Sequence, residues 1–367
     1  MSLLLLGLSL IGALYTVKTK LLDIRIANSE LRKNQAVISA EAGLQRGIAQ
    51  LYVLPTNTDS IVDEVVGNNQ YTVDFIVMDD GTGQNLGHPN WENDRIVTIT
   101  STGVSDDGSG TKVMEQKAWV HPVLRSEPDS AMTVDGAINV GGNFNIGAAP
   151  NGGGLGVPLS VWSSSPSLQI SGSGETCGLE EFDNEECATY SYSDSTNPGA
   201  DLYSDTLVSA GGTFPDDLFE HTFGVPRSEY QSIKDEAEEL LSDCSTLDTN
   251  SVGLIWVTGS CDTPGDIGSR AAPVVLVIEN ANFKMNANDE FYGVIYTFDA
   301  ADSGGAANIT LNGGASVFGA FISDYDTGTV NGTYNLRFDP QVLANIVNGN
   351  NEQFMKIELI PGSWKDF

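Results

Sequence analysis

The residues best suited to chemistry in this 367-residue chain are four cysteines, three histidines and a large surplus of carboxylates. Cys177, Cys187, Cys244 and Cys261 all lie in one half of the chain without CxxC spacing. That pattern fits disulfides in an oxidising compartment better than a zinc site. Sequential pairing, Cys177–Cys187 and Cys244–Cys261, closes short loops, and three connectivities are open. His88, His121 and His221 stand in unrelated contexts, with no HxH or HExxH spacing for a catalytic metal. No GxSxG, no P-loop and no GxGxxG after a strand occurs. The expectation is a protein that is not an enzyme and carries no organic cofactor.

Acidic pairs such as Asp79–Asp80 and Glu185–Glu186 could serve glycoside hydrolysis if held across a cleft. Among 49 acidic residues, chance adjacency explains them more cheaply. Calcium is better motivated. Asp194, Asp201 and Asp205, and separately Asp324 and Asp326, lie beside glycines and asparagines and offer the oxygen ligands that calcium collects. Neither stretch matches an EF-hand loop, so solvated turns are the simpler reading.

These groups sit in a chain whose charge is unevenly placed. The formal net charge is −32, with +3 up to Leu54 and −35 beyond it. Such a surface repels nucleic acid and anionic lipid, so a nucleic-acid partner is disfavoured. An acidic coat suited to a saline exterior is the plain reading. Forty glycines and fourteen prolines point to short strands and many turns.

The N-terminal element is of a different kind. From Met1 to Val17 there is no charge, and Lys18 and Lys20 follow the apolar run rather than precede it, the reverse of a signal peptide. No proline occurs before Pro55, and apolar residues recur on one stripe from Leu21 to Leu51. One helix over about residues 2–53 would be roughly 75–80 Å long. Such a rod needs a partner along its course. Ala36, Ala40, Gly43 and Gly47 share a face with almost no side chain, which lets another backbone approach closely. That half is expected to lie on the chain's own sheet. For the first half, with Met1, Leu3, Leu4, Leu5, Leu6, Leu8, Leu10, Ile11 and Leu14, the candidate partners are lipid or other copies.

Three segments resemble the N-terminal region of PilX-type pilins and, more loosely, the large minor pseudopilins of type II secretion. They are MSLLLLGLSLIGALYTV (1–17), RIANSELRKNQ (25–35) and AEAGLQRGIAQL (40–51). The far end is similar too, in PVVLVIENANFKM (273–285), YGVIYTFDA (292–300), VFGAFISD (317–324) and PGSWKDF (361–367). The resemblance covers both ends and leaves the middle poorly matched. It implies a pilin subunit of a type IV pilus, cut by a prepilin peptidase, held in the inner membrane and then polymerised with copies of itself and other pilins. It implies a pilus on the cell surface as the final location, and calcium sites occur among large minor pseudopilins. Two positions depart from the pattern. Leu5 stands where most pilins have a glutamate that pairs with a neighbour's terminal amine, and Leu22 where many have a kinking proline. Leu5 leaves open a minor, tip-located subunit that primes assembly or adheres.

The expected fold class is α+β, in three parts. Residues 1–54 form the helix, and 55–125 a small antiparallel sheet with strands at 71–78, 95–104 and 112–124. Residues 126–367 form a β-rich outer domain, as stacked solenoid rungs or a sandwich, with one helix near 228–244. Tyr71 and Trp119 read as core or sheet-face residues. A polysaccharide-active solenoid enzyme is the remote alternative.

Overall fold

The computed structural model describes the chain except for residues 1, 68, 79–93, 153–155, 167, 302–306, 326–327, 331 and 349–350. For residues 2–5, 63, 139 and 328–330 it describes the backbone alone. The chain forms two compact units. The smaller comprises Met1–His88, Asp94–Val120 and Ile357–Phe367, and the larger Pro89–Asn93 and His121–Lys356.

In the smaller unit, helix α1 (Ser2–Val53) runs unbroken for 52 residues, about 78 Å. It meets an antiparallel sheet of β1 (Ile61–Val66), β2 (Asn69–Val77), β3 (Arg95–Val104) and β4 (Thr111–Pro122). In β3 and β4 every second residue is buried, as the two-residue period of a half-covered sheet requires. Val97, Ile99, Ser101 and Gly103 face inward beside Ala118, Gln116 and Met114. Trp119 lies on the other face, where its indole donates to Asp94 Oδ2 at 2.9 Å. The end of the chain returns to this sheet. Met355–Leu359 pairs next to β4, and Lys365–Asp366 pairs antiparallel to β4 at Glu115 and Met114. PGSWKDF therefore closes the small sheet and does not stay in the outer domain as expected.

The larger unit is a parallel β-solenoid. Its ladder contains β5 (Met132–Val134), β6 (Asn143–Gly147), β7 (Gly253–Val257), β8 (Val274–Glu279), β9 (Glu290–Phe298), β10 (Ala315–Ser323) and β11 (Thr333–Arg337). The stacking order is β7–β8–β9–β10–β11–β6, each pair parallel. β5 pairs with the second half of β10, and Val161–Ser163 and then Leu202–Ser204 continue from it. Parallel, in-register pairing of this kind selects the solenoid over a sandwich, whose sheets are antiparallel. The stack does not follow chain order: the first coil, 132–147, packs on the last, 315–337. The two ends of the unit consequently meet, with Val123 N donating to Phe354 O at 2.7 Å.

A glycine column marks one corner of the coils. Gly332, Gly142 and Gly172 have φ of +139°, +98° and +91°, values open to glycine. A Cβ on Gly172 would collide with the Gly142 carbonyl, and one on Gly142 with the Gly332 carbonyl.

The single helix expected near 228–244 is replaced by three short elements. Arg227–Glu229 is a 3-10 turn, Tyr230–Asp235 a short α-helix, and Glu239–Leu241 a strand parallel to β7. The edge of the stack exposes unpaired backbone groups, and covering them outweighs local helix propensity. Glu238 N donates to Leu254 O at 2.9 Å, which starts that pairing.

Candidate functional site

α1 is divided by what its side chains touch. From Ala36 onward Ala36, Ser39, Ala40, Gly43, Leu44, Gly47 and Leu51 are buried, the three- and four-residue steps of one helix face. Contact is made at backbone level. A Cβ on Gly43 would lie 2.7 Å from the Tyr71 ring, and one on Gly47 would lie 2.8 Å from methyl groups of both Ile99 and Val73. The sheet reciprocates through Gly103, where a Cβ would strike the Ala36 carbonyl and the Ala40 amide. The buried positions include Ala36, Ala40, Gly43 and Gly47, the small-residue face read from the sequence, whereas Gly103 was not singled out there. Its signal was present, since a glycine inside a strand often marks close approach of another backbone.

Polar contacts border the docked half. Arg32 Nη2 lies 2.7 Å from Asp107 Oδ2, and Gln50 Nε2 donates to Asp59 O at 3.1 Å. Tyr71 donates to Glu64 Oε2 at 2.6 Å, and burial, then that carboxylate, push its phenol up to about 12.

Residues 6–34 are exposed, and before Arg32, whose side chain reaches Asp107, they have no such cover. Leu6, Leu8, Leu10, Ile11 and Leu14 are each 61–67% exposed, and Leu21, Leu22, Ile24, Ile26 and Leu31 are about half exposed. A Cβ at Gly7 or Gly12 would meet nothing within 4 Å. Met1 and the side chains of Leu3, Leu4 and Leu5 lie outside the described residues. Among the described residues, no helix is long and apolar enough to cross a membrane.

The cysteines form two disulfides, Cys177–Cys187 and Cys244–Cys261. Of the carboxylates considered for calcium, Asp194, Asp201, Asp205 and Asp324 are engaged locally. Asp194 accepts from the Thr196 hydroxyl (2.6 Å) and from the amides of Thr196 (2.6 Å) and Asn197 (2.8 Å), and these contacts lower its carboxyl to about 2. Asp201 is buried and accepts from Thr176 and Ser193 hydroxyls at 2.5 and 2.6 Å. Asp205 accepts from the Thr213 hydroxyl and from the Thr206 and Thr213 amides, each at 2.7 Å. Among the described residues, none of these aspartates joins a group of three potential metal ligands; Asp326 lies outside them.

Asp324 belongs to a buried cluster. Its oxygens accept from Tyr296 Oη (2.5 Å) and Asp299 N (3.1 Å), and Arg227 Nη1 stands 3.2 Å away. Burial pushes the carboxyl up to about 7 against the lowering effect of Arg227. Arg227 also takes the Asp299 carbonyl at 2.8 Å, so the cluster cross-links the turn after β9 to the 3-10 turn at 227–229. Of the histidines, His221 Nε2 lies 2.8 Å from Asp129 Oδ2, and His88 is outside the described residues, as is the Asp79–Asp80 pair.

No protein-family model and no curated protein matches the chain. Among solved structures, the competence-associated pilin ComZ from Thermus thermophilus is similar over 92% of this chain and 97% of its own, at 11% identity and a TM-score of 0.25. A likeness at that level carries no argument about role. The PilX-type resemblance rests on the segments quoted above, and the α+β class on the long helix and the β-rich units themselves.

Proposed function

We propose that this chain is a structural, non-enzymatic subunit of a type IV pilin-like filament, assembled through the free half of α1. The observation that carries this reading is the exposure of residues 6–34 on a helix whose other half is docked at backbone contact. Fully burying one leucine or isoleucine stabilises by about 1.5–3 kcal/mol. The exposed side chains between Leu6 and Val17 together amount to on the order of 10 kcal/mol per subunit. A helix satisfies its own backbone hydrogen bonds, so the same rod is compatible with lipid before assembly and with neighbouring helices afterwards. In this reading the inner membrane, a prepilin peptidase and the assembly machinery are the earlier partners. Copies of the chain and other pilins are the later ones, and the pilus is extracellular.

Leu5 favours a second reading. A subunit without the glutamate that meets a neighbour's terminal amine suits a single place at the filament tip, where it would prime assembly or adhere. Electron microscopy of native surface filaments separates the two. Repeated copies of this chain along the shaft support the main-subunit reading, and one terminal copy supports the tip. Absence from every filament would sink both.

A further inference from the structure

The larger unit carries a cleft of about 620 Å³ along its coils, lined among the described residues by none from α1. Its floor is a ladder of hydrogen-bonding side chains, three of them uncharged and the fourth a carboxylate. Ser316, Asn335 and Asn145 stand in register on β10, β11 and β6, and Glu175 continues the row on the next strand. Four positions at the spacing of adjacent strands span about 14 Å. Asn335 Nδ2 donates to Ser316 Oγ and Asn145 Nδ2 to Asn335 Oδ1, each at 3.3 Å. Each amide therefore uses one donor within the ladder and has further capacity to face a ligand. Phe318, stacked on Tyr292 at 4.8 Å between centroids, supplies apolar surface at one end.

One wall is the loop closed by Cys177–Cys187, which brings Phe182, Asp183 and Glu185 to the cleft. The loop is clamped to the floor. Asp183 receives Arg337 Nε at 2.6 Å and Nη2 at 2.7 Å, a bidentate pair that draws its carboxyl below the usual range. A disulfide and a bidentate ion pair hold this wall in place before any ligand arrives, so little ordering is needed on binding.

We infer that this cleft binds a neutral, extended oligosaccharide. Sugar hydroxyls donate and accept at once, as do the carboxamides and the serine that line the floor. Among the described residues, Glu175, Asp183 and Glu185 line the cleft and no lysine or arginine does, the nearby Arg337 being paired with Asp183, a balance that disfavours nucleic acid and acidic polysaccharides. Asp183, held ionised by Arg337, is unsuited to act as the general acid that glycoside cleavage needs. The assignment is to binding, and it is independent of how α1 assembles.

The test is calorimetric titration of the whole protein, in detergent micelles, with neutral hexasaccharides of glucose, mannose, galactose and N-acetylglucosamine. Hexagalacturonate and a hexalysine peptide serve as charged probes. Saturable binding of a neutral hexasaccharide is expected, weakened about tenfold in the Asn145→Ala/Asn335→Ala double variant. Asn145→Thr/Asn335→Thr keeps strand propensity and decides the matter if the alanine variant fails to fold. The inference is overturned if no neutral hexasaccharide saturates at millimolar concentration. It is equally overturned if a charged probe binds more tightly, or if the folded variants bind as the wild type does. Failure here would leave the filament reading untouched, because the cleft and α1 share no residue.

Discussion

Adding a single methyl group at Gly103 tests how α1 is held. A Cβ there would overlap the Ala36 carbonyl oxygen and the Ala40 amide nitrogen and lie 2.8 Å from Ala40 Cα. These are backbone atoms, so no side chain can swing aside, and the helix must lift or β3 must bend. Overpacking of this kind costs about 1–3 kcal/mol. Gly43→Ala first meets the side chains of Ser101 and Tyr71, which can shift, and regains about 1 kcal/mol of helix propensity, so its net loss is smaller. Gly12→Ala meets nothing and serves as the control. The assay is hydrogen exchange of amides 39–51 in the full chain in micelles. It reads local opening without requiring the two units to unfold as one. Gly103→Ala is expected to speed exchange there by roughly five- to hundredfold, with Gly12→Ala unchanged. Unaltered protection in Gly103→Ala would refute the backbone-level docking. An equal loss in Gly12→Ala would refute the division of α1 into free and docked halves.

Three further outcomes follow from the structure. Replacing Cys177 and Cys187 by serine opens a loop of sequence separation 10 and should cost about 3 kcal/mol, read as a lower melting temperature and faster proteolysis between them. Asp324 has a folded value near 7, above its ordinary unfolded value. Its contribution to stability is thus complete below about pH 4 and lost as pH rises through about 7. Asp324→Asn should flatten that fall in melting temperature, and an unchanged pH slope would count against the burial argument. Finally, in the proposed filament the net charge of −32 would limit bundling through like-charge repulsion. Raising salt from about 0.1 M to 1 M shortens the screening length from about 10 Å to 3 Å and should increase bundling in electron micrographs. Equal bundling at every ionic strength would remove repulsion as the cause.

Much of the smaller unit was legible before its structure. The absence of proline before Pro55 and the period of the apolar stripe place α1, since both act within a few residues along the chain. The small-residue face at Ala36, Ala40, Gly43 and Gly47 identified the docked side because helical periodicity alone sets which residues share a face. Alternation placed β2, β3 and β4 for the same local reason. The disulfide pairs coincide with the shortest loops, but spacing alone did not select them. Asp324, read from the sequence as a calcium candidate or a solvated turn residue, is buried in the structure. Nothing in its neighbours along the chain announces that Arg227 and Tyr296 will enclose it.

What the amino-acid order determined by itself is therefore whatever depends on near neighbours: the rod, its two characters, the alternating strands and the short rungs between glycines. Only the tertiary structure decided how the rungs stack. Parallel strands buried on one face carry no label for their partner, and pairs such as Asn145 with Asn335 join positions far apart in sequence. Parallel stacking packs the first coil on the last, the open edge at β7 takes 239–241 as a strand, and 357–367 joins the small sheet through β4. The stacking also assembles the polar ladder of the cleft, whose four residues come from four separate strands and form no motif in the chain.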